Sequence, residues 1–333
     1  MATKIDVTNL PGPTPRMEAI KKRFINTTPE ICVERAQLIT ESYKETEDLP
    51  IHLRRAKAFE KILNGMTVFI ADDELIVGNQ CTKPRSAPVY PEFSCKWLEA
   101  ELDRLEKRAG DVFLISEEKK KILRDLFPYW DKKTSNELAT SLMTDDALAA
   151  QGAGVFTVGN YYFNGVGHIS VDYAKVLAQG LNGIIAEAKA ELAKVDPTNP
   201  DDLKKMHFLH AVIISNEAVI AFARRFAAEA DTLAAGEKNG QRKAELQEIS
   251  RICQKVPAQP ASSFWEAVQS FWFIQLVLQL ESNGHSISPM RFDQYMYPYL
   301  QMDEGITAEK AQELLDLLYI KFSEINKVRD EGS

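Results

Sequence analysis

The chain has 333 residues, 45% of them hydrophobic and 26% charged, a composition typical of a globular protein with one large domain or two smaller ones. Its formal net charge of −8 disfavours nucleic acid or an anionic membrane as the main partner, because both are polyanions. The N-terminal residues lack the apolar core of a secretory signal, so we expect a soluble cytoplasmic protein.

Apolar residues at helical spacing predict that the first half of the chain is mainly helical, after an irregular start over residues 1–15. The predicted helices begin near residue 28 and lie at 28–44, 51–65, 97–109, 116–127 and 134–143. Between them, the stretch 66–79 predicts two short strands around an Asp-Asp turn. The prolines of 82–94 predict extended or looped backbone.

In the second half, the helical rhythm breaks over QGAGVFTVGNYYFNGVGHISVDY, residues 151–173, which is rich in glycine and almost uncharged. Further helices are predicted at 174–193, 201–232, 263–281 and 307–327. The apolar run 267–280 is interrupted by glutamines and is too short to span a bilayer. The sequence therefore predicts a mainly α protein with a few short strands.

Metal and nucleophile motifs are absent from the sequence. The cysteine spacing matches neither a zinc cluster nor a CxxC pair, which favours reduced and mostly buried thiols. The four cysteines are Cys32, Cys81, Cys95 and Cys253. His207 and His210 lie three residues apart on a predicted helix, with Glu217 two turns further. No second element supplies a ligand motif, so we predict a half-buried helix and no metal site.

Two glycine-containing breaks each carry a histidine beside hydroxyl or amide groups. FNGVGHIS contains His168, and LESNGHSIS contains His285 and Ser286 directly after an apolar predicted helix. Glycine lets the backbone approach a ligand closely, and these side chains can hold a polyol through several hydrogen bonds. The same groups could instead cap helix ends and satisfy turns. The residues alone leave both interpretations open.

Five segments resemble the glycyl radical enzymes of the pyruvate formate-lyase-like superfamily. They are ICVERAQLITESYK (31–44), DELIVGN (73–79), PRSAPVYPEFSCKWL (84–98), VGNYYFNGVGHISVDYAKVL (158–177) and ESNGHSISPMRFDQYMYPY (281–299). The resemblance runs from about residue 17 to the last residue and is strongest to the B12-independent glycerol and 1,2-propanediol dehydratases. It implies that residues 1–333 are the N-terminal portion of a pyruvate formate-lyase-like domain, part of a ten-stranded β/α barrel wrapped by helices.

The resemblance also implies the chemistry: dehydration of glycerol to 3-hydroxypropionaldehyde, or of propane-1,2-diol to propionaldehyde. In that family a glycyl radical, installed by a separate S-adenosylmethionine iron–sulfur activating enzyme, generates a cysteine thiyl that abstracts hydrogen from the diol. Asn160, His168, His285 and Ser286 match the hydroxyl-binding positions, and His168 is the implied proton donor to the departing hydroxyl. We expect no bound metal or cofactor, a homodimer when intact, and a location in the cytoplasm or a microcompartment.

The chain departs from the family in one respect. None of its cysteines fits the thiyl motif and no glycine fits the radical motif, so we expect the radical-bearing C-terminal part to be absent and this chain to be inactive alone. Two alternatives are another glycyl radical lyase and a non-catalytic helical module that binds a partner. The first includes choline trimethylamine-lyase, whose pocket would not need two histidines. It also includes 2-oxoacid formate-lyase (formate acetyltransferase), which needs a carboxylate clamp, whereas Arg85 and Arg291 are expected to be structural.

Overall fold

A computed structural model describes residues 12–156, 160–284 and 286–331 of the chain. Most of these residues are helical, which confirms the mainly α fold class, and two three-residue strands lie among the helices. The α-helices are α1 (Pro15–Asn26), α2 (Glu34–Glu45), α3 (Ile51–Gly65), α4 (Lys96–Glu101), α5 (Glu117–Trp130), α6 (Ser135–Ser141), α7 (Asp145–Gly152), α8 (Tyr173–Leu192), α9 (Pro200–Gly236), α10 (Gly240–Lys255), α11 (Phe264–Glu281), α12 (Phe292–Met302) and α13 (Ala308–Ser323). The other elements are β1 (Glu30–Cys32), β2 (Ser86–Pro88), a 3-10 turn (Leu105–Lys107) and a π-helical turn (Asn160–Asn164).

Local capping signals set the starts of several helices. At the start of α6, the hydroxyl of Thr134 accepts a hydrogen bond from the amide of Glu137 and donates to its carboxylate. Ser263 caps α11 and Thr307 caps α13 through their side-chain oxygens. A cap satisfies amides that have no partner inside the helix, so its position in the sequence fixes where the helix begins. These three predicted starts are confirmed.

Two predictions about the first hundred residues are wrong. The helix expected from residue 28 begins only at Glu34, because Glu30–Cys32 forms β1 and pairs in parallel with β2. The stretch 66–79 contains no strand; instead, the side-chain amide of Gln269 on α11 binds both the N–H and the C=O of Val77, at 2.9 and 2.8 Å. A glutamine therefore supplies the backbone partners that a neighbouring strand would have supplied.

The core is organised around α11, whose residues are buried on nearly every side. Phe271, Trp272 and Phe273 are almost fully enclosed. The motif DELIVGN is joined to α13 by a buried ion pair, since the ammonium of Lys321 lies 2.6 Å from the carboxylate of Glu74. All four cysteines are free and buried, as predicted.

Among the described helices, α9 alone is long and apolar enough to cross a membrane by length and composition. It packs against α3, α8 and α10. Arg225 of α9 also donates hydrogen bonds of 2.6 Å to the carbonyls of Leu63 and Met66 at the end of α3. These contacts attach α9 to three neighbouring helices of the fold.

Candidate functional site

Cationic side chains from distant parts of the chain hold the C-terminal end of α11. Each of the five consecutive carbonyls of residues 279–283 accepts a hydrogen bond from a side chain. Nε of Arg35 donates to Leu280 O at 2.7 Å, and Nη2 of Arg55 donates to Glu281 O at 3.1 Å. The last carbonyls of a helix have no partner within it, and positive charge is favourable at this end. These contacts fix the point at which the chain leaves α11.

Two of these arginines share the carboxylate of Glu92. Arg35 binds it through two hydrogen bonds of 2.6 and 3.2 Å, and the two side chains are 3% and 4% exposed. Arg55 lies 3.5 Å from the same carboxylate and also pairs with Glu281. Burial by itself raises the pKa of Glu92, but the charge and hydrogen bonds of Arg35 and the charge of Arg55 hold it below its usual value. The buried pair therefore remains ionised.

The remaining carbonyls at this helix end are held by the segment that follows α13. Lys327 donates to Gln279 O at 3.1 Å and to Ser282 O at 3.5 Å. Nη2 of Arg329 donates to the carbonyl of Asn283 at 2.7 Å. Burial, and then the nearby charges of Arg329 and Arg35, lower the pKa of the Lys327 amine.

The two glycine-containing segments predicted as a site lie side by side. We call residues 165–170 the Gly165 loop and residues 282–288 the Gly284 loop. The hydroxyl of Ser282 donates to the carbonyl of Val166 at 2.6 Å. Further along, Ser170 and Ser288 form a parallel bridge, in which the Ser288 amide donates to Ile169 O at 3.0 Å. The two loops are therefore joined at two points, by a side-chain hydroxyl at Ser282 and by a backbone hydrogen bond at Ser288.

Glycine is required where the two loops touch. A Cβ atom on Gly284 would lie 1.5 Å from Val166 O and 2.9 Å from Gly167 N. Gly165 has a φ of +111°, and its Cβ would lie 3.0 Å from the amide of Asn283. Neither position leaves room for a side chain, so both glycines serve close backbone approach.

We expect Gly284→Ala to separate the two loops and to lower the free energy of unfolding by about 1–3 kcal/mol, because the added methyl group overlaps a backbone carbonyl. Urea denaturation of the 333-residue chain measures the loss. Gly305→Ala is the matched control, since its Cβ would meet its nearest neighbour at an ordinary 3.6 Å. Equal stability of the two variants would show that the loops do not pack as described.

Two serines hold the turn that leads into the Gly165 loop. The hydroxyl of Ser94 donates to Phe163 O at 2.7 Å, and that of Ser135 donates to Tyr162 O. The backbone of α6 is tied to the same region, since the amide of Ser135 donates to Glu92 O at 3.0 Å. Through Ser135 and Arg35, the network around Glu92 contacts the segments that precede both loops.

The structure describes the side chains of two of the four residues predicted to bind substrate. His168 and Ser286 are exposed, lie in adjacent loops, and have left-handed backbone with φ of 54° and 56°. This conformation is uncommon in residues other than glycine and is concentrated at functional sites. Asn160 opens the π-helical turn, but its side chain and the whole of His285 lie outside the described residues. The contact between the two loops is thus established, and the hydroxyl-binding roles stay predictions.

A cleft of ≈ 410 Å³ opens beside Ser286. Its walls include Gln275, Ser286, Ile287, Phe292, Leu318 and Phe322. Nε2 of Gln275 donates to Ile287 O at 2.9 Å, while the hydroxyl of Tyr173 donates to Oε1 of Gln275 at 2.5 Å. Apolar walls with a few fixed polar groups are typical of sites for small molecules.

The other candidate residues take no part in these loops. Across residues 12–156, 160–284 and 286–331, no group of three or more His, Cys, Asp or Glu side chains is placed to hold a metal. His207 and His210 lie on α9, away from a third ligand. Arg85 donates to the carbonyls of Ile25 and Thr27 at the end of α1, which is the structural role expected of it.

The cations that hold the end of α11 were not predicted from the sequence. Their signal was present, because Arg35 stands in ICVERA and Glu92 in PEFS, both within apolar or proline-rich segments where a charge must be paired. The sequence does not reveal the partners, since Arg35 and Leu280 are 245 residues apart.

The family model described as pyruvate formate lyase-like matches residues 10–333. The chain is 37% identical over 330 residues to the (2S)-3-sulfopropanediol dehydratase of Klebsiella oxytoca, covering 97% of this chain and 40% of that protein. The solved glycerol-bound form of the B12-independent glycerol dehydratase from Clostridium butyricum is 54% identical, with a TM-score of 0.95 over 98% of this chain and 41% of that one. A structure for 1,2-propanediol dehydration in Roseburia inulinivorans is 47% identical, with a TM-score of 0.96 over 98% and 39%. The chain thus spans about two fifths of the length of these proteins.

Proposed function

The chain belongs to the pyruvate formate lyase-like family, and from that premise we propose that it is the N-terminal, substrate-holding part of a glycyl radical diol dehydratase. The proposed substrates are glycerol, giving 3-hydroxypropionaldehyde and water, and propane-1,2-diol, giving propionaldehyde and water. In support, the chain shares more of its sequence with the glycerol dehydratase and the Roseburia protein than with the sulfopropanediol dehydratase.

The observation that carries the proposal is the backbone bridge between the Gly165 and Gly284 loops. It holds a segment with His168 against a segment with Ser286, although 118 positions separate Ser170 from Ser288 in the sequence. Each vicinal hydroxyl of a diol can donate and accept hydrogen bonds, and it needs imidazole, amide or hydroxyl partners at fixed positions. The two loops supply these residue types together.

In the proposed reaction Asn160, His285 and Ser286 hold the diol hydroxyls and His168 donates a proton to the hydroxyl that leaves. Hydroxide is a poor leaving group, so a positioned acid lowers the barrier to loss of water. A glycyl radical in the intact enzyme supplies the hydrogen abstraction that starts the reaction. The residues of this chain orient the diol and hold the proton.

The remaining elements of the proposal follow the family. We propose that the two strands and the helices described above form the N-terminal part of its β/α barrel, and that a separate activating enzyme and a second copy of the whole polypeptide are the protein partners. We expect no metal, nucleic acid or membrane partner, and a cytoplasmic or microcompartment location. A helical module without catalysis and another glycyl radical lyase remain the alternatives that an experiment must separate.

A chimera tests the proposal, in which this segment replaces the aligned N-terminal segment of the Clostridium butyricum glycerol dehydratase. After anaerobic activation, we expect an electron paramagnetic resonance signal from a glycyl radical and release of aldehyde from glycerol or propane-1,2-diol. Choline, and pyruvate with coenzyme A, are the comparison substrates. A radical signal without aldehyde from either diol would refute the proposal, and turnover of choline or pyruvate would favour the other lyases.

A further inference from the structure

Two sets of cationic side chains bind the chain where α11 leads into the Gly284 loop, and the two sets bind different carbonyls. Arg35 and Arg55, on α2 and α3, bind the carbonyls of Leu280 and Glu281, which still belong to α11. The cations that bind carbonyls of the loop itself belong to the segment that follows α13, while the neutral side chain of Gln275 on α11 binds Ile287 O further along the loop. Lys327 binds Ser282 O, and Arg329 binds Asn283 O, which precedes Gly284.

Arg329 makes the shortest of the contacts to the loop carbonyls. Its Nη2 lies 2.7 Å from Asn283 O, a distance typical of a charge-assisted hydrogen bond, whereas Lys327 lies 3.5 Å from Ser282 O. Asn283 is itself buried, with 7% of its surface exposed, so its carbonyl depends on a protein donor. Arg329 therefore fixes the peptide unit from which the backbone turns into Ser286.

We infer that Lys327 and Arg329 are positioning residues for the Ser286 side of the diol site. They touch no reacting atom and act through the backbone of Ser282 and Asn283. This inference rests on the proposed function for its catalytic consequence, but its structural part concerns the Gly284 loop alone. The two parts can therefore fail separately.

The first experiment measures loop order by hydrogen–deuterium exchange of the 333-residue chain. Arg329→Met removes the hydrogen bond to Asn283 O, and we expect amide exchange in residues 282–288 to accelerate by about 10-fold while peptides of α9 are unchanged. Arg329→Lys keeps a donor of the same charge and should restore part of the protection. Arg124→Met is the matched control, because Arg124 on α5 forms an exposed pair with Asp103. Unchanged exchange in residues 282–288 would overturn the inference, as would a uniform rise across the molecule.

The second experiment measures kinetics in the chimera with the Clostridium butyricum enzyme. Arg329→Met should lower kcat/KM for the diol by about 3- to 10-fold, mainly through a higher KM, because Ser286 is displaced and the proton donor His168 is retained. Lys327→Met should act in the same direction, and Arg329→Lys should recover activity in part. Wild-type kcat/KM in Arg329→Met would refute the positioning role. An inactive parent chimera that carries the radical would instead refute the proposed function, and the exchange result would then decide the inference by itself.

Discussion

Replacing Glu92 with glutamine is expected to lower the free energy of unfolding by about 3–5 kcal/mol, the cost of removing one partner from a buried ion pair. The guanidinium of Arg35 would lose a carboxylate bound at 2.6 and 3.2 Å and would stay buried, because its Nε is also bound to Leu280 O. An uncompensated buried charge is costly, and the glutamine side chain offers only one neutral acceptor oxygen in its place.

Urea denaturation of the 333-residue chain, followed by circular dichroism, measures this loss. Glu47→Gln is the matched control, since Glu47 forms an exposed ion pair with Lys133 at 3.0 Å and pairs of that kind contribute little. A loss in Glu92→Gln no larger than in Glu47→Gln would mean that the buried pair does not hold the end of α11.

The pH dependence of stability gives an independent check of the same carboxylate. The folded-state pKa of Glu92 lies below its usual value near 4.5, so the unfolded chain takes up the proton more readily than the folded chain. The contribution of Glu92 is therefore present above that value and is lost as the pH falls through the folded-state pKa. We expect the difference in stability between wild type and Glu92→Gln to shrink as the pH is lowered below 4.5.

The parts of the fold that the sequence predicts well are those decided locally. The capping hydroxyls of Thr134, Ser263 and Thr307 lie within three residues of the amides they bind, so their helix starts can be inferred from short patterns. The failure over 66–79 has the opposite cause. Most of its apolar residues are buried, but the backbone of Val77 is satisfied by Gln269, which is 192 residues away. No local pattern distinguishes a strand from a segment bound by a glutamine of a distant helix.

In the candidate site, too, the local features can be predicted from the sequence and the tertiary contacts cannot. The glycine-containing breaks and their histidines are visible in the sequence, and the contact between the two loops agrees with the resemblance that singled them out. The sequence does not show why glycine is needed there. The reason is a tertiary contact, since a Cβ atom on Gly284 would lie only 1.5 Å from Val166 O. The cations around the end of α11 are likewise a product of tertiary structure, since they come from α2, α3 and the segment after α13.

These contacts link stability to the proposed function. The Glu92 network fixes the end of α11, Ser94 and Ser135 fix the turn before the Gly165 loop, and the loops then meet through backbone atoms. Preorganised sites depend on this kind of support, because a displacement of about 1 Å can cost two orders of magnitude in rate. His168 and Ser286, whose backbone is left-handed, each lie two residues before the bridge between Ser170 and Ser288.

His168→Asn is expected to reduce kcat for diol dehydration by about 10²- to 10⁴-fold, the usual contribution of a general acid. Asparagine tolerates the left-handed backbone at φ of 54° and can still hydrogen-bond a hydroxyl, but it cannot donate a proton to a leaving group. The change therefore separates binding from proton transfer. Steady-state kinetics of the activated chimera should show a large fall in kcat with KM altered much less.

His210→Asn on the exposed face of α9 is the control for the loss of a histidine, and Ser286→Ala is the control for the loss of a hydroxyl contact. We expect His210→Asn to leave the kinetics unchanged and Ser286→Ala to raise KM by about 3- to 10-fold, the contribution of one neutral hydrogen bond. Radical content measured by electron paramagnetic resonance must match the parent in every variant, so that a lower kcat reports the chemical step. If His168→Asn retained the parent kcat at equal radical content, the leaving hydroxyl would be protonated by another group, and His168 would be a binding residue only.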